Sequence, residues 1–139
     1  MLTLVSSCAS AANRRARLKT GVETNDPHGL ICLLLDALQR KVRASKLAMD
    51  RGDIPDKCKQ IGVAIDIVEE GLKPGLNLHE GGDLAWNLLS VYDYCVHRLI
   101  SANVKNDSTA LSEVARLIEP IHNGWKQING PGPAYLKLV

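Results

Sequence analysis

Glu119 and His122 are the first residues to consider for chemistry, because Glu-x-x-His is the spacing with which helical bundles bind pairs of metal ions. Such a centre needs a second Glu-x-x-His pair and two further glutamates that face the same interior. The sequence has no second pair, its first predicted helix has no glutamate, and Glu69 and Glu70 fall at the end of the second helix. We therefore expect no metal centre, and we interpret Glu119 and His122 as structural residues.

The four cysteines, Cys8, Cys32, Cys58 and Cys95, are widely spaced and form no CxxC pair. Local spacing therefore assembles neither a zinc knuckle nor a redox motif. Free thiols buried in a helical core are typical of a reducing compartment. We expect a cytoplasmic protein, and no stretch of the chain approaches the roughly 20 apolar residues that a transmembrane helix needs.

Catalysis and nucleic-acid binding find little support in the remaining polar residues. The other histidines have no Cys or Ser partner in a recognisable arrangement, and the glycines form neither GxGxxG nor a Walker loop. We therefore expect no enzymatic activity and no cofactor. Basic residues cluster near the N-terminus and on the first helix, but the net charge is only +2 and no aromatic platforms accompany them. A nucleic-acid-associated regulator remains an alternative, and it would bind DNA with a steep dependence on salt.

The size and composition of the chain favour one all-α domain. With 139 residues, 45% hydrophobic residues and no Phe, the core must be built from Leu, Ile, Val and Ala. We predict that residues 26–129 form an antiparallel four-helix bundle. Residues 1–25 are expected to form a flexible arm and residues 130–139 a short apolar tail.

Turn and capping residues set the predicted helix boundaries. Asn25, Asp26 and Pro27 open the first helix, which Gly52 ends in a left-handed conformation while Asp53 caps the second helix. The second helix is predicted over residues 54–71, followed by a loop from Leu76 to Gly82 that ends at the capping residue Asp83. The third covers about 84–103, and the fourth begins after Asp107 or Ser108. Pro120 falls inside the fourth helix, where we predict a bend.

Apolar residues recur at helical spacing in all four segments. The first helix buries Ile31, Leu34, Leu38, Val42 and Met49, flanked by Leu30, Leu33, Ala37, Ala44 and Ala48. The second is predicted to bury Cys58, Ile61, Ile65 and Val68. The third buries Ala85, Leu88, Tyr92, Cys95 and Leu99, and the fourth buries Leu111, Val114, Leu117, Ile118, Ile121, Trp125 and Ile128. Because Tyr92 and Tyr94 differ by about 200° around a helix, Tyr92 should be buried and Tyr94 more exposed.

Several apolar residues fall outside these predicted core faces. They are Val63 and Ile67 on the second helix and Trp86, Leu89, Val96 and Ile100 on the third, with Leu18 and Val22 in the arm. An apolar groove between two helices is a common receptor for an amphipathic helix or an extended peptide. We therefore predict that these eight residues bind a polypeptide client. Packing against the arm, the tail or a second copy in a homodimer is equally compatible with the sequence.

Five ordered segments carry a resemblance to a known family. They are Asp26-Pro27-His28-Gly29-Leu30-Ile31 with Leu35-Asp36; Arg51-Gly52-Asp53 with Ala64-Ile65-Asp66-Ile67-Val68; Gly71-Leu72-Lys73 through Gly81-Gly82 to Asn87-Leu88; Val91-Tyr92-Asp93-Tyr94 with Arg98-Leu99, Ala102-Asn103 and Asn106-Asp107; and Trp125-Lys126-Gln127-Ile128. In this order they resemble FliS, the family of flagellin-specific secretion chaperones. The resemblance covers about residues 11–129.

The resemblance implies a four-helix bundle that binds the disordered C-terminal segment of flagellin, prevents early polymerisation and presents flagellin to the flagellar type III export gate. Family members are also linked to the flagellar anti-sigma factor, and the resemblance implies no catalysis. Many members have a tyrosine in the N-terminal arm where this chain has Asn13. Leu18 or Val22 is therefore a candidate for the apolar anchor of the arm.

Overall fold

The computed structural model of the protein describes residues 27–127, which form four helices. They are α1 (Pro27–Asp50), α2 (Ile54–Asp66), α3 (Leu78–Lys105) and α4 (Ser108–Lys126), and α2 continues directly into a π-helical segment, Ile67–Leu72. None of these residues lies in a β-strand. Helix α1 packs against α2 and α4, and α3 packs against the same two helices. With short connections between consecutive helices, this arrangement confirms the predicted all-α bundle.

The predicted capping chemistry is present at both tight connections. Gly52 has a φ of +74°, and Asp53 accepts a hydrogen bond from the backbone N–H of Asp56 at 3.1 Å. Asn106 ends α3 with a φ of +55°, and Asp107 accepts a hydrogen bond from the N–H of Thr109 at 2.9 Å. Left-handed residues and short acceptor side chains satisfy the helix ends, so each chain reversal takes only two or three residues.

The connection from the π-helical segment that extends α2 to the start of α3 differs from the prediction. Residues 78–81 form a helical turn, although they were expected to lie in a loop. Asn77, which is buried, begins this turn by accepting a hydrogen bond from the N–H of Glu80 at 3.0 Å. Gly82 then leaves helical geometry with φ +57° and ψ −141°. Because this conformation favours glycine, Gly82 allows the first turn and the rest of α3 to point in different directions.

The core contains most of the residues that the apolar pattern predicted. The largest fully buried side chains include Leu34, Leu38, Ile61, Tyr92, Leu99, Leu111 and Ile118. Each such side chain contributes about 1.5–3 kcal/mol when it is removed from water. Tyr92 is 2% exposed and Tyr94 is 44% exposed, as predicted.

The core face of α2 lies elsewhere than predicted. Cys58, placed in the core by the sequence pattern, is exposed, whereas Lys57 and Ala64 are buried. Ile67 was expected outside the core, but it is 1% exposed. It begins the π-helical segment, whose wider turn directs Ile67, Val68, Gly71 and Leu72 toward the interior.

Two other expectations concern α1 and α4. Leu33 lies at the edge of the α1 core face and remains 40% exposed, so the contact that α1 makes with its neighbours is narrower than the apolar pattern. Helix α4 continues past Pro120 to Lys126, and the bend expected there stays a prediction.

The predicted arm, the tail, Cys8, Ile128 and the Asn25–Asp26 cap lie outside the described residues. None of the helices within residues 27–127 is both long and apolar enough to cross a membrane.

Candidate functional site

The edge of the bundle between α3 and α4 is bridged by a polar network. The Tyr94 hydroxyl donates a hydrogen bond to Glu113 Oε2 at 2.8 Å, and Arg98 Nε donates to Glu113 Oε1 at 2.6 Å. The hydrogen bond from Tyr94, together with that from Arg98, lowers the pKa of the Glu113 carboxyl. This edge is therefore occupied by charged and hydrogen-bonded groups.

The edge between α1 and α4 is bridged in a similar way. Gln39 Nε2 donates to the backbone oxygen of Ala115 at 3.2 Å, and Lys46 Nζ donates to Ser112 Oγ at 2.8 Å. Both bonds join residues on different helices, so they link the outer rims of α1 and α4. An apolar guest would have to displace these bonds to lie along this edge.

The edge between α2 and α3 has polar contacts at its two ends. At one end, Lys57 Nζ donates to the backbone oxygen of Asn103 at 2.9 Å and to Asn106 Oδ1 at 3.3 Å. At the other end, Lys73 Nζ lies 2.6 Å from Asp93 Oδ1 and 2.9 Å from Glu69 Oε1. Burial alone lowers the pKa of Lys73, but the hydrogen bonds to Asp93 and Glu69 outweigh it and raise the pKa.

The flank of α3 that carries these contacts is mostly apolar. Leu89, Val96 and Ile100 are seven and four residues apart, which places them on one side of the helix. On the same side, Asp93 pairs with Lys73, just beyond the π-helical segment, and Asn103 contacts Cys58 of α2, so this flank faces α2 and its extension. Ile100 is 47% exposed, while Leu89 and Val96 are half-buried.

Two further side chains extend the apolar flank along α3. Trp86, three residues before Leu89, is 54% exposed, and Val104, four residues after Ile100, is 78% exposed. Val104 was missed by the sequence interpretation although its spacing from Ile100 repeats the pattern. Exposed and half-buried apolar side chains aligned along more than four helical turns are typical of a surface that binds another polypeptide.

The α2 side of this surface is formed by residues that the sequence analysis did not predict to bind a client. The Sγ atom of Cys58 contacts Asn103 Oδ1 at 3.3 Å, so the side of α2 that bears Cys58 faces α3. Gly62 and Ile65 follow Cys58 by four and seven residues and share that side. We call the six residues Cys58, Gly62, Ile65, Leu89, Val96 and Ile100 the α2–α3 face.

The eight predicted client-binding residues are therefore only partly brought together. Trp86, Leu89, Val96 and Ile100 share one flank of α3, as described above. Val63 follows Cys58 by five residues, about 140° around α2, and points away from α3. Ile67 is buried in the core and offers no surface to a guest. Leu18 and Val22 lie outside the described residues.

In the part of the chain that the structure describes, the groups that could perform chemistry do not converge. Glu119 is exposed whereas His122 is buried, and burial lowers the pKa of His122. Burial also raises the pKa of the Cys95 thiol to about 12. The expectation of a buried thiol is wrong for Cys58, which is exposed. Within residues 27–127, no group of three or more His, Cys, Asp or Glu side chains is placed to hold a metal ion.

Comparison with known proteins assigns the chain to a family. The model of the family described as flagellar protein FliS matches residues 9–131, which include all four helices. The chain belongs to the FliS family. It is 36% identical to the flagellar secretion chaperone FliS of Salmonella typhimurium over 118 residues, which are 85% of this chain and 87% of that protein.

Two further FliS relatives extend this similarity. The flagellar secretion chaperone FliSB of Pseudomonas aeruginosa is 36% identical over 116 residues, 84% of this chain and 91% of the relative. The FliS chaperone of Vibrio cholerae is 32% identical over 117 residues, 84% of this chain and 85% of the relative. Because these matches cover most of each protein, the resemblance to FliS seen in the sequence is confirmed.

Proposed function

We propose that this protein is a flagellar secretion chaperone that binds the C-terminal segment of flagellin in the cytoplasm, prevents its premature polymerisation and delivers it to the flagellar type III export apparatus. Membership of the FliS family supports this proposal. The observation that carries it is the row of exposed or half-buried apolar residues on α3, which extends from Trp86 to Val104 and past the polar contacts of Lys73 and Lys57. The proposal concerns binding alone and assigns no catalytic step.

The α2–α3 face, with Trp86 and Val104, fits a guest that folds as it binds. Burial of exposed apolar area drives such binding, while the guest loses the entropy of its disordered state. A large contact surface can therefore coexist with an affinity low enough for later release. The polar contacts of Lys57 and Lys73 hold α3 against α2 and its π-helical extension, so the face exists before the guest arrives.

Calorimetric titration of the full chain with a synthetic peptide of the flagellin C-terminal segment tests the proposal. We expect a 1:1 complex, a negative heat-capacity change and a gain of helical circular dichroism over the sum of the components. Ile100→Asp should weaken binding by about 10–100-fold, because about 1.5–3 kcal/mol of apolar burial is lost.

Leu47→Asp is the matched control, because Leu47 is 62% exposed on α1, which packs against α2 and α4. Its affinity for the peptide should equal that of the parent chain. Equal losses in the Ile100 and Leu47 variants, or no binding by the parent chain, would contradict the proposal. Tight DNA binding that weakens steeply with salt would instead support the nucleic-acid alternative.

The proposed partners beyond flagellin are the export gate and the flagellar anti-sigma factor. Delivery requires that the gate distinguish a loaded chaperone from an empty one. We therefore expect the chaperone–flagellin complex to bind the cytoplasmic domain of the gate more tightly than the free chaperone does, as measured by surface plasmon resonance. Sedimentation over a range of concentrations tests whether the free chain forms a homodimer through the same apolar surface, which would compete with the guest.

A further inference from the structure

Gly62 lies in the interior of α2, where the bundle itself gives no reason for a glycine. A Cβ atom added at Gly62 would meet no atom within 4 Å. The described glycines with positive φ are Gly52 and Gly82, so Gly62 has ordinary helical geometry. Glycine weakens a helix interior relative to alanine, and neither conformation nor close packing requires it here.

On the side that faces α3, the space above Gly62 is bordered by apolar side chains of both helices. Cys58 precedes Gly62 by one turn of α2, and Ile65 follows it by nearly one turn. Helices α2 and α3 are antiparallel, and Cys58 contacts Asn103. One turn further along α2 therefore corresponds to one turn back along α3, which places Ile100 opposite Gly62.

The chemistry of this space selects its occupant. Toward α3 this space is bordered by Cys58, Ile65, Val96 and Ile100, none of which is an acidic or basic residue, whereas Lys59 and Asp66 lie three and four residues from Gly62 on its outer side. The ion pair of Lys73 with Asp93 and the ammonium of Lys57, which contacts Asn103, lie on either side of Val96 and Ile100 along α3. A charged side chain that inserted on the side toward α3 would lose hydration and lie on the opposite side of Gly62 from Lys59 and Asp66, whereas an apolar one would exchange water for hydrocarbon contact.

We propose that the bare backbone at Gly62 is a subsite that admits one bulky aliphatic or aromatic side chain of the guest. This inference rests on the proposed function and adds to it a specificity-determining position. The missing Cβ lets the guest approach α2 more closely at this point than elsewhere on the α2–α3 face. The side chain inserts between Ile65 and Ile100 and fixes the register of the guest on the chaperone.

Filling the space with Gly62→Leu tests the subsite by calorimetry with the same flagellin peptide. Binding should weaken about 10–100-fold, the equivalent of one apolar side chain that is no longer buried. Gly124→Leu is the matched control, because Gly124 lies in α4 and a Cβ there also meets nothing within 4 Å. Its affinity should stay within twofold of the parent, and neither variant should melt below the parent.

Alanine substitution of each apolar peptide residue identifies the side chain that enters the subsite. One peptide variant should bind the parent chain at least tenfold more weakly than the unaltered peptide, but bind Gly62→Leu with less than a threefold loss. If Gly62→Leu melts below the parent, the same peptide variants are measured against Gly62→Ala. The loss caused by the critical peptide substitution should then differ by about threefold between Gly62→Ala and the parent chain, as expected for one methyl group.

Two outcomes separate this inference from the proposed function. If the parent chain fails to bind the peptide, the proposed function and the subsite both fall. If the parent chain and Gly62→Leu bind the peptide equally well, or if no peptide residue is coupled to position 62, the subsite alone is overturned.

Discussion

Lys57→Met should destabilise the bundle, although methionine has an unbranched side chain only one atom shorter than that of lysine. Lys57 is 4% exposed, and its ammonium donates hydrogen bonds to the backbone oxygen of Asn103 and to Asn106 Oδ1. Asn103 belongs to the last turn of α3, whose final carbonyls have no partner within the helix. The lysine therefore satisfies a carbonyl and places a positive charge where the helix dipole is negative.

The expected decrease in the free energy of unfolding is the difference between a large destabilising effect and a smaller stabilising one. A hydrogen bond from a charged donor contributes about 1.5–3 kcal/mol, and the orphaned carbonyl of Asn103 adds a desolvation cost. Methionine offsets part of this because it no longer buries an ammonium group. The net decrease in the free energy of unfolding should be about 2 kcal/mol. Lys57→Ala should lose about 1–2 kcal/mol more, because the buried methylene groups are removed as well.

Thermal and urea denaturation of the parent and the variants measure this effect. Lys57→Met should lower Tm by roughly 5–8 °C for a chain of this size. Asn106→Gly removes the second acceptor while it preserves the left-handed backbone, whose φ is +55°. The loss of stability in the Lys57→Met, Asn106→Gly double variant should be smaller than the sum of the two single losses by about 0.5–1 kcal/mol, because both substitutions remove the hydrogen bond between Lys57 and Asn106. A Lys57→Met variant that melts at or above the parent temperature would refute the reasoning.

Three further predictions concern titratable groups. Burial lowers the pKa of His122 below 6.5. The stability that neutral His122 contributes is therefore present above pH 6.5 and falls as the pH drops through the folded pKa. His122→Gln should flatten that part of a plot of Tm against pH. The hydrogen bond from Tyr94 lowers the pKa of Glu113 below 4.5. The stability that the Glu113 carboxylate contributes is therefore present above pH 4.5 and is lost as the pH falls through the folded pKa. Tyr94→Phe should raise the pKa of Glu113 in an NMR titration of its carboxyl carbon. A maleimide should label exposed Cys58 in the native protein, whereas buried Cys95, whose pKa is raised to about 12, should react only after unfolding, as peptide mapping would show.

The sequence predicted the fold well where local chemistry decides the conformation. Gly52, Asp53 and Asp107 act at their helix ends as expected, because left-handed conformations and N-caps depend on a few neighbouring atoms. The turn at Leu78–Gly81 was missed because the glycines at 81 and 82 indicate a loop. Its cap, Asn77, is stabilised by burial, which a local pattern does not reveal.

The orientation of α2 was harder to predict because two core faces fit its sequence. The spacing Cys58, Ile61, Ile65 and Val68 is as regular as the spacing Lys57, Ile61, Ala64 and Val68. Hydrophobicity favours the first face, since it avoids a lysine. The structure adopts the second, because the Lys57 ammonium reaches α3 carbonyl and amide oxygens and Ala64 allows neighbouring helices to pack closely. A long charged side chain can therefore lie in a core if its head finds a helix end.

The same rotation of α2 determines which residues the proposed guest can contact. If Cys58 and Ile65 pointed into the core, a guest could not contact them, and Val63 would lie on the side of α2 opposite the core. With Lys57 and Ala64 in the core, Cys58, Gly62 and Ile65 instead border α3. The apolar residues of α3 were predictable because one regular stripe contains them, whereas their counterparts on α2 follow from the hydrogen bonds of Lys57. The charged contact that stabilises the end of α3 thus also fixes the composition of the surface proposed to bind flagellin.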